Sequence, residues 1–334
     1  MDPVKIGDIK IANPICLAPM AGFSSLPFRV ICNEMGASYC PTELVSARSI
    51  KYNGINRSAR YSRIDPARER IPVLQLFGSE PEDFTAAVES LLADPRYEGL
   101  RIIDINMGCP VPKVVKTGSG SALMREPAKA AAIVAATVKA LEEAHVNMPV
   151  TCKTRIGFDG HDKGVPEFAR ALAESGAAMI CIHGRTRPQM YAGDADYEAI
   201  ARMTEAVKPC GIPVFANGDI KDGETALRAL KVTGADGLMV GRAARGNPWV
   251  FRKITAELEG RDYEEPSGLE KRQMLLRELI ERREEFPDCT EDAVVREYRS
   301  VMPFYIKGED GAAALKRALC NASSIDEVKE ILEL

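Results

Sequence analysis

The sequence predicts an α/β fold, a TIM-type (β/α)8 barrel followed by a smaller all-helical domain. Three observations lead there: eight short apolar, β-branched runs, helix-like stretches between them, and the end of the β signals after Trp249. The runs span 15–20, 39–45, 73–77, 102–107, 150–155, 179–184, 214–219 and 237–242. They read as continuous apolar segments, as strands buried on both faces do. The intervening stretches carry helical spacing and start signals, among them Pro81-Glu82-Asp83, Glu126-Pro127 before an Ala-rich run, and Asp222-Gly223-Glu224. Eight such units suit a closed barrel better than an open doubly wound sheet.

The remainder reads as helices over 247–259, 269–286, 291–302, 311–319 and 325–334, with a charged, Pro/Gly-punctuated stretch at 260–268. This divides the chain into a barrel at 1–245, a connecting helix and linker at 246–268, and a helical domain at 269–334. No internal repeat stands out beyond the βα rhythm.

With 334 residues and 46% hydrophobic content, the chain can bury a sizeable core, which excludes a disordered or fibrous protein. No apolar run approaches the roughly 20 residues that span a bilayer. Met1-Asp2-Pro3-Val4-Lys5 lacks the regions of a signal peptide, so a cytoplasmic protein is expected, without a membrane partner and as a monomer. The 44 Lys and Arg against 48 Asp and Glu give a net charge of −4, which argues against a generally sticky nucleic-acid binder but leaves room for a local basic surface. The nine cysteines never come closer than eight residues, so no C-x-x-C motif exists and no metal is expected. Cys16, Cys152 and Cys181 lie inside apolar runs and read as small buried hydrophobes.

In such a barrel the C-terminal strand ends line the active site. Here they carry Pro19-Met20-Ala21-Gly22, Glu43, Gln75, Asn106, Lys153 and Arg155, His183 and Arg185, Asn217-Gly218-Asp219, and Gly241-Arg242. Any one of these could merely cap a strand; the set is too polar for that. The last two strand ends combine glycines with Arg242, the pattern that holds a phosphate, and so imply a phosphate-bearing cofactor. There is no G-x-x-x-x-G-K-[ST], and Gly118-Ser119-Gly120 lacks the third glycine and preceding strand of a dinucleotide fingerprint, so a nicotinamide would bind elsewhere and transiently.

Cys109, in Asn106-Met107-Gly108-Cys109-Pro110, falls in the loop above the barrel mouth. A nucleophilic thiol needs a base to become thiolate, whereas an ordinary thiol with a pKa of about 8.5 stays protonated at neutral pH. Of the three histidines, His145 sits in a helix-to-strand turn and His161 in a Gly/Asp-rich loop, leaving His183 as the one at a strand end. Cys109 as proton donor is the simpler reading.

Taken in order, Ala18-Pro19-Met20-Ala21-Gly22, Thr42-Glu43-Leu44-Val45-Ser46-Ala47, Gln75-Leu76-Phe77-Gly78, Ile105-Asn106-Met107-Gly108-Cys109-Pro110, Lys153-Thr154-Arg155, His183-Gly184-Arg185-Thr186-Arg187, Asn217-Gly218-Asp219-Ile220 and Gly241-Arg242-Ala243 resemble the tRNA-dihydrouridine synthases across the whole barrel. Gly118-Ser119-Gly120-Ser121-Ala122-Leu123 and Arg245-Gly246-Asn247-Pro248-Trp249 look most like the bacterial B-type branch. The resemblance implies FMN at the barrel mouth, NADPH as reductant, and hydride delivery to C6 of a tRNA uracil with Cys109 protonating C5. By matching motif, Pro19, Met20 and Ala21 would contact the flavin ring, while Gln75, Lys153 and His183 would bond its polar edge and ribityl chain. Asn217, Gly218, Asp219, Gly241 and Arg242 would hold its phosphate, and Asn106 and Arg155 would orient the uracil edge. The C-terminal helices resemble the family's RNA-binding domain through Val295-Arg296, Arg299 and Phe304-Tyr305-Ile306-Lys307-Gly308.

Basic residues that should lie around the mouth extend this expectation to RNA contact: Arg57, Arg60, Arg63, Arg68 and Arg70, then Lys113 and Lys116, then Arg185 and Arg187. The stretch 278–285 is nearly charge-balanced and reads as an ordinary exposed helix face. Two other readings stay open at this level: an FMN barrel reducing a free pyrimidine or enone, which would not need the appended helices, and a non-catalytic RNA-binding barrel, which would not need an intact Cys109 or phosphate site.

Overall fold

The computed structural model describes residues 2–160 and 164–334. It opens with an antiparallel hairpin, β1 (Val4–Ile6) and β2 (Ile9–Ile11), which the sequence reading passed over. The alternation Val4-Lys5-Ile6 and Ile9-Lys10-Ile11 around Gly7-Asp8 is a hairpin signal, and Gly7 has the positive φ of 56° that such a two-residue turn requires at its first position.

The barrel strands follow: β3 (Ile15–Leu17), β4 (Cys40–Pro41) with β5 (Val45–Ser46), β6 (Pro72–Phe77), β7 (Ile102–Met107), β8 (Val150–Gly157), β9 (Met179–Thr186), β10 (Val214–Asn217) and β11 (Gly237–Val240). All pair in parallel in the order β3-β11-β10-β9-β8-β7-β6-β4. The seam between β3 and β4 is joined by Leu17 N to Tyr39 O at 3.1 Å and Ser38 N to Ile15 O at 2.8 Å. The expected second strand is thus two short pieces. At the break, Thr42 Oγ1 accepts the Gln75 amide at 3.0 Å, keeping β6 bonded where the neighbouring ladder is interrupted.

Because side chains alternate along a strand, each strand sends one column of residues inward. At the bottom these are Cys16, Val73, Ile102, Met179, Phe215 and Met239, which pack with Ile6, Ile9 and Ile11 of the hairpin into one apolar cluster. Gly237 makes room for Phe215, whose ring a Cβ there would meet at 2.5 Å. Two residues further up, the same columns carry Gln75, Asp104, Cys181 and Asn217. The barrel floor is therefore plugged and dry, and polarity rises toward the C-terminal mouth.

The chain beyond the barrel is helical, with α-helices including Val250–Leu258, Gly268–Glu285, Glu291–Tyr298, Ala312–Leu319 and Ile325–Leu332. Its core is not separate. Leu275, Leu279, Val295, Tyr298, Met302 and Val328 pack in one cluster with Ile31 and Met35 of the first barrel helix, Leu26–Glu34, and with Trp249. Contrary to the exposed face expected for 278–285, Glu278 and Arg282 are each only 1% exposed. Glu278 accepts hydrogen bonds from Tyr305 Oη at 2.5 Å and Tyr298 Oη at 3.1 Å, and Tyr298 Oη lies 3.5 Å from Ser25 Oγ, the cap of that barrel helix.

Burial pushes the Glu278 carboxyl up to about 7, against the tyrosine hydrogen bonds and Arg282, which favour its ionised form. A carboxyl raised in the folded state costs stability above its unfolded pKa, and that cost fades as pH falls from about 7 toward the ordinary carboxyl value. Glu278→Gln, which keeps an acceptor for a tyrosine and carries no charge, should therefore melt a few degrees higher than wild type at pH 8, with the gap closing by pH 5. Thermal unfolding across that range checks it; a lower melting temperature at pH 8 would mean the ionised carboxylate is net stabilising.

Candidate active site

The inward columns bring most of the residues singled out in the sequence to one place. Lys153 and Arg155 on β8, His183 and Arg185 on β9, and Asn217 at the end of β10 project into the mouth beside Gln75 and Asn106 from β6 and β7. Pro19, Met20 and Ala21 follow β3 as a rim segment, the first two half-buried and Ala21 exposed. That segment is held by Glu43, which sits in the break between β4 and β5 and accepts the Gly22 amide at 2.8 Å. Burial raises the Glu43 carboxyl, with the Gly22 amide and Arg282 pulling the other way.

The electrostatics of the mouth are one-sided. Lys153, Arg155, Arg185 and Arg242 converge there; burial, joined by their field, pushes the His183 pKa well below the ordinary value and so favours its neutral form. Burial also lowers Lys153, whose Nζ is 3.0 Å from Asn217 Oδ1. On the rim, Asp219 bonds Arg185 through Oδ2 at 2.7 Å and Arg242 through Oδ1 at 2.7 Å, and accepts the Ala195 amide at 2.8 Å. Burial alone would raise Asp219, but these partners hold it below the usual carboxylate range. Its side chain thus orients two arginines, while its φ of 55° and the 125° of the preceding Gly218 turn the backbone sharply. A Cβ on Gly218 would fall 3.1 Å from the His183 ring, so glycine leaves the main chain open against it. A net positive, half-buried mouth with bare backbone at its rim fits a phosphate-bearing cofactor and a flat polar ring.

Cys109 lies beside this cluster, partly buried. Asn106 Oδ1 accepts its amide at 2.9 Å, and Arg155 Nε donates to the neighbouring Gly108 carbonyl at 2.7 Å. Arg155 Nη1 donates to the carbonyls of Thr186 at 3.1 Å and Met190 at 3.0 Å, so one guanidinium ties the cysteine loop to the loop after β9. Burial pushes the thiol up, over the opposing pull of the Val111 amide, Arg155 and Lys153. The Gly-rich stretch that fails as a nucleotide fingerprint turns out to seat this loop: Ser121 N donates to Cys109 O at 3.1 Å, and Gly120 has a φ of 61° with its missing Cβ 2.9 Å from Cys109 O.

Two expectations change. Arg60 and Arg68 pair with Glu297 and Glu281, Arg63 donates to the Glu285 carbonyl, and Arg60 and Arg63 lie over the Phe286 ring at 5.4 and 5.5 Å. These arginines join barrel to helices, Arg63 and Arg68 while remaining exposed; their partners lie 213 to 237 residues away in sequence, where no local pattern could reveal them. Arg185, 1% exposed and bonded to Asp219, Ala192 O and Gly193 O, is internal. Lys113, Lys116, Arg57 and Arg70 remain exposed. His145 sits in its turn with a φ of 56°, and His161 lies outside the described residues. Sequence reading missed Tyr191, which is 54% exposed with Arg242 stacked 5.0 Å from its ring centroid, and Asp104, whose only signal was sharing a strand face with Asn106. Among the described residues, no helix is long and apolar enough to cross a membrane, and no group of His, Cys, Asp or Glu is placed to hold a metal ion.

The dihydrouridine synthase family profile matches residues 16–334. The chain is 34% identical over 331 residues to tRNA-dihydrouridine synthase B of Vibrio cholerae, covering 99% of this chain and 98% of that one. It is 40% identical over 254 residues to tRNA-dihydrouridine synthase B of Pseudomonas putida, covering 76% and 71%. Among solved structures, a 2-naphthoyl-CoA reductase complex superposes with a TM-score of 0.55 at 10% identity, over 78% of this chain and 52% of that one; the chain spans about half of that protein, and the likeness concerns the fold.

Gly120→Ala should strain a positive-φ backbone and push on Cys109. We expect it to fold with a lowered melting temperature, by about 1 to 3 kcal/mol of stability, and to lose turnover with tRNA. Activity equal to wild type would show that the seat does not fix the thiol.

Proposed function

The chain belongs to the dihydrouridine synthase family, flavin-dependent oxidoreductases that modify tRNA, and from that premise we propose that it converts particular uridines of tRNA to 5,6-dihydrouridine with FMN as its flavin and NADPH as reductant. The observation that carries the chemistry is the placement of Cys109, partly buried beside a cationic mouth, where burial pushes its thiol up and so favours the protonated form. Pro19, Met20 and Ala21 would lie against the flavin ring, and Gln75, Lys153 and His183 would bond its polar edge and ribityl chain. Asn217, Gly218, Gly241 and Arg242 would hold its phosphate together with the Asp219 main chain, the Asp219 carboxylate serving to fix Arg242. When bound, the reduced flavin supplies hydride for uracil C6.

The rest falls to the protein. Asn106 and Arg155 would orient the uracil edge. As negative charge spreads from C5 toward the neighbouring carbonyl, Cys109 Sγ delivers its proton to C5. The thiolate left behind is stabilised by Arg155 and Lys153, the same groups that pull the thiol pKa down. A uracil in folded RNA must be extruded to reach this depth. We assign phosphate contact to exposed Lys113, Lys116 and Arg57 and to the helical domain. We take residues 1–245 as the catalytic barrel, 246–268 as the connection and 269–334 as the RNA-binding domain of a cytoplasmic enzyme.

The protein should purify yellow and release FMN rather than FAD on denaturation, since the mouth offers one phosphate-type site; chromatography of the released cofactor decides. Arg242→Ala should weaken FMN retention about tenfold or more by removing a charge-assisted contact and exposing the Asp219 carboxylate to the phosphate.

Cys109→Ala should retain FMN, accept electrons from NADPH at a near-normal rate, and lose at least about two orders of magnitude in uridine reduction. Anaerobic single-turnover reoxidation of the reduced flavin by tRNA is the measurement. Wild-type reoxidation with dihydrouridine formed would remove Cys109 from the mechanism.

A further inference from the structure

Asp104 has no task in the scheme above, yet it is a carboxylate 1% exposed inside the barrel, in the column that carries Ile102 below it and Asn106 above it. Register places it level with Gln75 on β6 and Thr151 on β8. Its Oδ1 accepts from Thr151 Oγ1 at 2.6 Å and its Oδ2 from Gln75 Nε2 at 2.6 Å. Gln75 Oε1 in turn accepts from Asn106 Nδ2 at 2.9 Å, and Asn106 Oδ1 accepts the amides of Cys109 at 2.9 Å and Gly108 at 3.3 Å.

We propose that Asp104 is a positioning residue: through Gln75 and Asn106 it fixes the turn that carries the Cys109 thiol. The two amides in the middle of the chain are nearly symmetric in shape, so shape alone does not decide which end of each faces which neighbour. The two ends of the chain do. An ionised carboxylate can only accept, and a backbone N–H can only donate. Inverting Gln75 would set its oxygen against Asp104 and its NH2 against the Asn106 NH2. Inverting both amides would aim the Asn106 NH2 at the Gly108 and Cys109 amides. One sense satisfies every member, and Asp104 imposes it from below. A residue that merely filled the barrel here would not need charge, which is costly to bury. Burial does raise its pKa to about 6, against Thr151, Gln75 and Lys153, which favour the charged form.

That this chain governs turnover rests on the reading of Cys109 as the acid; the chain itself does not. The test therefore has two arms on the flavin-loaded protein, with Asp104→Leu, which cannot accept from Gln75, and Asp104→Asn, whose oxygen still can while the Thr151 hydroxyl turns to accept. The first arm is hydrogen–deuterium exchange of the segment 106–109. The second is flavin reduction by NADPH followed by single-turnover reoxidation with tRNA. We expect Asp104→Leu to speed exchange at Gly108 and Cys109 and to slow reoxidation, each about tenfold or more, with NADPH reduction within about twofold of wild type. Asp104→Asn should restore both to within about threefold of wild type. Should Asp104→Leu not fold, Asp104→Ser, whose shorter side chain leaves Gln75 Nε2 out of reach, carries the same expectation. Unchanged exchange at 106–109 in a folded, flavin-loaded Leu or Ser variant, or an Asn variant as impaired as it, would overturn the proposal. Wild-type protein whose reduced flavin tRNA does not reoxidise would instead sink the functional reading, while the exchange arm still decides the role of Asp104.

Discussion

Everything in the site depends on the two-residue period of the parallel strands. A closed eight-stranded barrel leaves an interior only wide enough for side chains, so each inward column must be filled from floor to mouth. Ile102, Asp104 and Asn106 are one column; Met179, Cys181, His183 and Arg185 are another; Val73 and Gln75, and Phe215 and Asn217, are two more. Hydrophobic burial of the lower members, with the β1–β2 hairpin beneath them, keeps the upper members at fixed heights. A slip of one residue in any strand would send its polar residues into the helical layer and its apolar ones into the mouth.

The helical region belongs to the same mechanical unit. It shares apolar contacts with Ile31, Met35 and Trp249, and it reaches the rim segment at two points. Phe304 packs edge-on against Phe23 with ring centroids 5.3 Å apart, and Arg245 sits over both rings at 4.4 and 5.3 Å. Glu43, which holds the Gly22 amide, also feels the charge of Arg282 from the helices. Under the proposed function, a surface that binds RNA on these helices would therefore be tied to Pro19–Gly22, and one packed interface would set both the position of the RNA and the height of the rim. At Gly246 the two sides of this interface come close together: its φ is 60°, and a Cβ would lie 2.5 Å from the Phe304 and Tyr305 backbone.

The strands from β6 to β11 were legible because a β-branched apolar run bounded by glycines and charged residues has few other uses. The polar strand ends were legible because residues such as Lys153 and His183 are conspicuous inside such runs. What escaped was non-local. Arg60, Arg63 and Arg68 look like an RNA surface until Glu281, Glu297 and the Phe286 ring of the helical region arrive beside them. Glu278 reads as one charge among many until two tyrosines and the cap of a barrel helix close over it. The second strand was overextended because its break at 42–44 is stabilised by side chains, Thr42 and Glu43, rather than signalled by a proline or glycine within it.

The cationic mouth also explains why a thiol suits the acid's place better than the commoner candidates. Positive neighbours favour the ionised form of any acid that becomes negative, and the neutral form of any that is already positive. A carboxyl starts near 4, and even Asp104, which burial raises to about 6 against the pull of Lys153, stays below neutrality and has little proton to give at pH 7. An imidazole would be pushed toward its neutral form, as burial and the positive neighbours together do for His183. A thiol starts high enough that the pull of Arg155 and Lys153, opposed by burial, leaves it protonated. A field suited to an anionic cofactor thus disfavours carboxyl and imidazole donors, and in the proposed mechanism it would stabilise the thiolate left when Cys109 gives up its proton.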